Sequence, residues 1–225
     1  MKPWIHLETA NVPGDKTQLK LMQRGDEFSI MLGTNELMNS RLSGSEEALA
    51  TLSAERVGNR PQPRVLIGGL GMGFTLRAAQ ACFGPDSELV VAELVPEIIA
   101  WARGPLTPVF GTCLDDPRVR VVNDDVGKVI AARKAAFDAI LLDVDNGPDG
   151  VSREQNDKLY GLKSLRTSLD ALRPGGVLAV WSAHPSEPFT KRLATAGFAV
   201  EEIKVRARSG GRGARHVIWL GKKPG

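Results

Sequence analysis

The sequence predicts an α/β fold, a mostly parallel sheet with crossover helices that ends in an antiparallel hairpin and comes after a small N-terminal β-unit. Three observations carry this. From Arg64 onward, short apolar runs alternate with helix-compatible segments. A glycine cluster stands where the first run hands over to a helix. The last two runs are separated by a Gly/Arg-rich stretch instead of a helix, which reads as a hairpin.

Near the N-terminus, Gln18 to Met22 and Glu27 to Leu32 alternate as strands of a small antiparallel unit, and Ser45 to Arg56 reads as a helix. Asn59-Arg-Pro-Gln-Pro63 is a linker by its prolines, so residues 1–60 and 61–225 are expected as two units. Val65 to Ile67, Leu89 to Ala92, Val119 to Val122, Ala139 to Leu142 and Val177 to Trp181 are the expected parallel strands. Ala199 to Arg206 and His216 to Leu220 form the hairpin, with Ala207 to Arg215 as its loop. No repeat is present.

Composition sets the class. The chain has 225 residues, 42% hydrophobic and 24% charged, as in an ordinary globular protein. No apolar run approaches the ~20 residues of a membrane span, and the first residues lack a signal peptide's apolar core. A cytoplasmic location is the expectation. Cys82 and Cys113 make neither a C-x-x-C pair nor a zinc spacing with histidines, so no metal is expected and both read as reduced thiols. A net charge of +3 says little about partners.

Arg64-Val-Leu-Ile-Gly-Gly-Leu-Gly-Met-Gly-Phe-Thr75 is the first candidate site. Glycine lets a ligand approach the backbone, and a helix start offers unpaired N–H groups. The dinucleotide pattern G-x-G-x-x-G would need glycine at position 74, which is Phe; Gly69, Gly71 and Gly73 give G-x-G-x-G instead. That spacing resembles the first motif of S-adenosylmethionine-dependent transferases.

Acidic positions mark three successive strand ends. Glu93 lies roughly 20 residues past the glycines, where nucleotide-binding folds place a ribose-binding acid. In Asn123-Asp-Asp125, an Asp either receives the exocyclic amine of adenine or caps the helix that begins at Val126. Asp143 and Asp145 in Leu141-Leu-Asp-Val-Asp-Asn-Gly-Pro-Asp149 alternate, so both can face one pocket. Paired like charges there favour a bound cation such as an amine, and a carboxylate can take its proton. Asp145, Asn146, Gly147 and Asp149 also suit a turn.

Taken with Thr75-Leu-Arg77, Pro96-Glu97, Leu114-Asp-Asp-Pro-Arg-Val119 and Leu172-Arg-Pro-Gly-Gly176, these motifs give the run from Arg64 to about Trp181 its likeness. It resembles the spermidine synthase (polyamine aminopropyltransferase) family of the S-adenosylmethionine-dependent methyltransferase superfamily. The resemblance implies a Rossmann-like class I methyltransferase fold with a seven-stranded sheet. It implies a homodimeric transferase of polyamine biosynthesis that takes S-adenosylmethionine or decarboxylated S-adenosylmethionine as co-substrate. An aminopropyl or methyl group would move to an amine or another small nucleophile.

By that likeness Gly69, Gly71, Gly73, Glu93, Asp124, Asp125 and Asp143 would bind the co-substrate, Glu93 at the ribose and Asp125 at the adenine. Asp143 would take the proton from the attacking amine, with Asp145 orienting the substrate. The chain departs from the family where an acid usually sits in the glycine loop, here Leu70 to Met72, and where Tyr-His is replaced by Ser45-Glu46. Glu36 stands near the family's Gln, and Asp143-Val-Asp-Asn-Gly-Pro148 replaces Asp-x-x-Asp-Pro.

Other residues carry two readings. His184, after Trp181, either faces the acceptor or closes the pocket wall, while His6 and His216 read as isolated and structural. Tyr160 reads as packing. The basic stretch with Arg206, Arg208, Arg212 and Arg215 has no aromatic residue for base stacking, so a small molecule is favoured over nucleic acid, and no membrane partner is expected. A nucleic-acid methyltransferase using residues 206–215, or a non-catalytic nucleoside-binding relative, are the alternatives.

Overall fold

The fold was described from a computed structural model, which describes residues 2–14, 18–144, 147–148, 158–208 and 212–225. An N-terminal antiparallel sheet has the order β1 (Ile5–Asn11), β2 (Gln18–Arg24), β3 (Glu27–Leu32), β4 (Asn35–Asn39). Two of these strands were legible. β1 and β4 carry no clean alternation: only Ala10 of β1 and Asn39 of β4 are fully buried.

Helix α1 (Gly44–Val57) leads into the large sheet, whose strands are β5 (Arg64–Gly68), β6 (Glu88–Glu93), β7 (Val119–Asn123), β8 (Phe137–Leu142), β9 (Leu172–Ser182), β10 (Ala199–Arg208) and β11 (Arg212–Lys222). Their order is β10-β11-β9-β8-β5-β6-β7, parallel from β9 to β7, with β10 and β11 antiparallel. Seven strands and a terminal hairpin match the expectation.

The parallel strands are apolar on both faces because helices cover both. Val65, Ile67, Leu141 and Ala179 enter one core, shared with α1, α2 (Phe74–Cys82), α3 (Pro96–Arg103) and the N-terminal sheet. Leu66, Ile140, Leu142 and Val180 enter the other, with α5 (Val126–Ala131), α6 (Leu162–Ala171) and α7 (Glu187–Ala196). A short α4 (Thr107–Phe110) lies between β6 and β7. Each fully buried aliphatic side chain contributes about 1.5–3 kcal/mol.

Three expectations change in detail. The hairpin loop is shorter than residues 207–215: Arg206 pairs with Arg215 and Arg208 with Arg212, so the strands run into it. Gly213 did not end its strand, because a φ of +89 is tolerated within β11. The proline-bearing linker is tied down, since Arg60 bonds Asp138 Oδ1 at 2.9 Å and Pro174 O at 2.7 Å. Helix α1, grouped with the N-terminal unit by sequence, lies against α2 and strands of the large sheet.

Strand order fixes the site. From β5 the chain moves to β6 and β7, then returns to place β8 on the other side of β5. Loops leaving β5 and β8 therefore part at one point of the carboxyl edge, where ligands bind in open α/β sheets.

Candidate active site

At that point the glycine loop turns against the end of β8. Gly69 adopts φ +89, and a Cβ there would stand 2.7 Å from the Asp143 carbonyl oxygen. Gly73, at φ +74, begins α2, and its Cβ would stand 2.5 Å from the Phe110 ring. These two glycines are thus required by the protein's own backbone and packing, not only by ligand approach. Leu70 and Met72 are buried in the core, so the loop presents no charged side chain.

Glu93 ends β6 with 5% exposure. Its two oxygens accept backbone N–H groups of Leu70 and Val95, each at 2.8 Å. Burial raises its pKa, against the pull of those hydrogen bonds. The carboxylate therefore clamps the glycine loop to the adjacent strand end, and each oxygen keeps a second lone pair for a ligand hydroxyl.

Asp125 is the N-cap of α5: its Oδ1 accepts Gly127 N at 2.7 Å and Lys128 N at 3.3 Å. The cap, one of the two roles open from sequence, is thus present. Asp124 Oδ1 accepts the Asp125 N–H at 2.8 Å and lies 3.8 Å from Lys128 Nζ. Both acids sit at the carboxyl edge beside β6.

Asp143 comes directly after β8 and is half-buried, accepting Thr75 Oγ1 of α2 at 2.8 Å. Its pKa is pushed up to about 7 by burial first and by the nearby Glu46 charge second, with the Thr75 hydrogen bond opposing both. Glu46 comes from the first turn of α1 and accepts Ser45 Oγ at 2.7 Å; burial raises its pKa as well. Asp145, Asn146, Asp149 and the Arg212 side chain lie outside the described residues.

One residue here was missed from sequence, and Glu46 was noted only as part of the Ser45-Glu46 departure from the family's Tyr-His, without a role. His216, read as isolated, places Nδ1 2.9 Å from Ser45 Oγ and its ring edge-on to Trp181 at 4.9 Å. The available signal was position, because the last strand's residues beyond its pairing with Ser182 reach the carboxyl edge. His184 stands exposed at the rim. Tyr160 is buried edge-on against Phe189, and His6 bonds Thr9 Oγ1 on the N-terminal sheet. Arg206, Arg208 and Arg215 are exposed on the hairpin.

Among the described residues no three His, Cys, Asp or Glu side chains gather as a metal-ligand group. No helix there is long and apolar enough to cross a membrane.

A family model for the spermine/spermidine synthase domain matches residues 59–192. The chain belongs to the spermine/spermidine synthase family. A polyamine aminopropyltransferase of Mycobacterium tuberculosis is 34% identical over 146 residues, covering 60% of this chain and 27% of that protein. Polyamine aminopropyltransferase 1 of Streptomyces coelicolor is 32% identical over 159 residues, 67% of this chain and 29% of the relative. The chain thus spans under a third of either relative's length. Spermidine synthase from Thermotoga maritima superposes with a TM-score of 0.76 at 19% identity, over 97% of this chain and 72% of that one. A spermidine synthase in complex with the transition-state analogue AdoDATO gives 0.75 at 18% identity, with the same coverage. These superpositions establish the Rossmann-like fold of the family.

Proposed function

We propose that the chain is a transferase that moves an aminopropyl group from decarboxylated S-adenosylmethionine to an amine, in polyamine biosynthesis. The observation that carries this is Asp143, a half-buried acid at the sheet's switch point with its pKa lifted to about 7. An acid so placed accepts a proton at neutral pH and gives it up again.

An adenosyl sulfonium supplies a leaving group that departs as a neutral thioether. The protein then has only to align the amine and take the proton released as the N–C bond forms. Asp143 takes that proton. Thr75 holds the carboxylate in one orientation, and Glu93 keeps the glycine loop in place while its free lone pairs receive ribose hydroxyls. Asp124 and Asp125 sit on the adenine side.

A second reading has its own support. Leu70, Gly71 and Met72 leave the loop without an acid to recognise an aminopropyl ammonium or repel a carboxylate. S-adenosylmethionine itself, and methyl transfer, fit such a loop.

Calorimetry with S-adenosylmethionine, its decarboxylated form, methylthioadenosine and NAD separates the readings, with turnover of the tighter sulfonium then measured on 1,4-diaminobutane. Tight binding of NAD alone would sink both. Asp143→Asn is expected to abolish turnover while methylthioadenosine still binds. The family resemblance also supports a homodimer, which light scattering tests.

A further inference from the structure

Two acids meet at Thr75, whose Oγ1 lies 2.8 Å from Asp143 Oδ2 and 3.4 Å from the Glu46 carbonyl oxygen, and neither has a cation beside it among the described residues. Neither Glu46 nor Asp143 has an ion-pair partner among the described residues. The other titratable groups around them are Glu47 on α1, His216 on β11 and His184 beyond β9. Arg77 of α2 is turned away, donating to the Val109 carbonyl. Beside them the Trp181 Nε1–H is buried, with no hydrogen-bond partner among the described residues.

Glu46 is held by a chain of groups. Ser45 is buried, and its single hydroxyl proton goes to Glu46 Oε2 at 2.7 Å. The remaining contact, from His216 Nδ1 at 2.9 Å, must then be a donated N–H, which assigns the neutral ring its Nδ1–H tautomer. His216 is in turn braced by Trp181. Two elements distant in sequence therefore converge to aim one carboxylate.

We propose that His216, acting through Ser45, positions the Glu46 carboxylate opposite Asp143, and that the two acids together hold the cationic terminus of the acceptor amine. This rests on the amine-acceptor reading of the same cleft. Two carboxylates with no ion-pair partner among the described residues, in a half-buried site, repel each other, and an ammonium placed between them removes the repulsion and gains charge-assisted hydrogen bonds. Glu46 is assigned to amine binding, and His216 to positioning.

The test compares the whole chain with Glu46→Gln, His216→Leu and His216→Asn, using 1,4-diaminobutane in calorimetry with methylthioadenosine present. Glu46→Gln is expected to weaken diamine binding about 10-fold or more, the loss of one charge-assisted contact. His216→Leu should weaken it severalfold. His216→Asn should restore it, because the Asn amide N–H takes the place of Nδ1–H. Methylthioadenosine affinity should be unchanged throughout. Carboxyl NMR of the free chain should also show the Asp143 midpoint falling in Glu46→Gln, a change that does not depend on any substrate. Diamine binding left unchanged by Glu46→Gln, or weakened equally by both His216 variants, overturns the inference. A wild-type chain that binds methylthioadenosine but no amine overturns the acceptor reading, and this inference with it.

Discussion

Thr75 Oγ1 lies 2.8 Å from Asp143 Oδ2, joining the first turn of α2 to the end of β8 across the switch point of the sheet. The bond favours the ionised acid, whereas burial and Glu46 favour the protonated one. Thr75→Val keeps the shape and removes the donor. The Asp143 midpoint should then rise above about 7 by roughly one unit, since a hydrogen bond to a charged group contributes about 1.5–3 kcal/mol. In the pH dependence of kcat/KM, the acidic limb should move upward. Activity at pH 7 should fall about 5-fold, and recover near pH 9.

The same acid makes stability depend on pH in an unusual direction. Its pKa is about 7 when folded and 3.8 by ordinary value, so between these the folded chain binds more protons than the unfolded one. This contribution therefore falls as pH rises from about 4 to about 7. Asp143→Asn should stabilise the protein at pH 8 by up to about 4 kcal/mol, less where Glu46 shares the titration, and do nothing at pH 4. Urea unfolding at the two pH values measures the difference; equal effects at both would rule out the buried charge as the cause.

Much of this site was legible because strand ends are. Val65-Leu-Ile67 and Ala139-Ile-Leu-Leu142 are apolar throughout, as only strands covered on both faces are, and the residues just past them lie at the carboxyl edge. That logic locates the glycine loop, Glu93 and Asp143. It could not choose between cap and ligand for Asp125, because both roles use the same position at a helix start. Nor could it find His216, or give Glu46 a role. Their meeting through Ser45 depends on how α1 lies across β9 and β10, a tertiary fact with no local signal. The glycines were read for ligand approach alone, whereas Gly69 and Gly73 are demanded by the Asp143 carbonyl and the Phe110 ring.

Glu93 gives a prediction that separates clamp from ligand. Both of its oxygens accept backbone N–H groups, and Gln has only one acceptor oxygen. Glu93→Gln therefore turns an amide NH2 toward the N–H of Leu70 or Val95, at a cost of about 1–3 kcal/mol for a buried donor left unpaired. The melting temperature should drop in the absence of any ligand. A variant as stable as the parent, but weaker for methylthioadenosine, would assign Glu93 to the ligand alone.

Gly73 tests how the loop is built. Ala at this position meets two separate penalties: a left-handed backbone at φ +74, costing about 1 kcal/mol or more, and a Cβ 2.5 Å from the Phe110 ring, costing about 1–3 kcal/mol as overpacking. Only the second can be relieved by shortening the partner. Phe110→Leu alone opens a gap and should itself destabilise, but in the Gly73→Ala background it removes the clash. The double variant should therefore be more stable than the sum of the two single effects, by about 1–2 kcal/mol in a double-mutant cycle read from urea unfolding. Strict additivity would mean that the backbone conformation, and not the Phe110 ring, is what demands glycine where α2 begins.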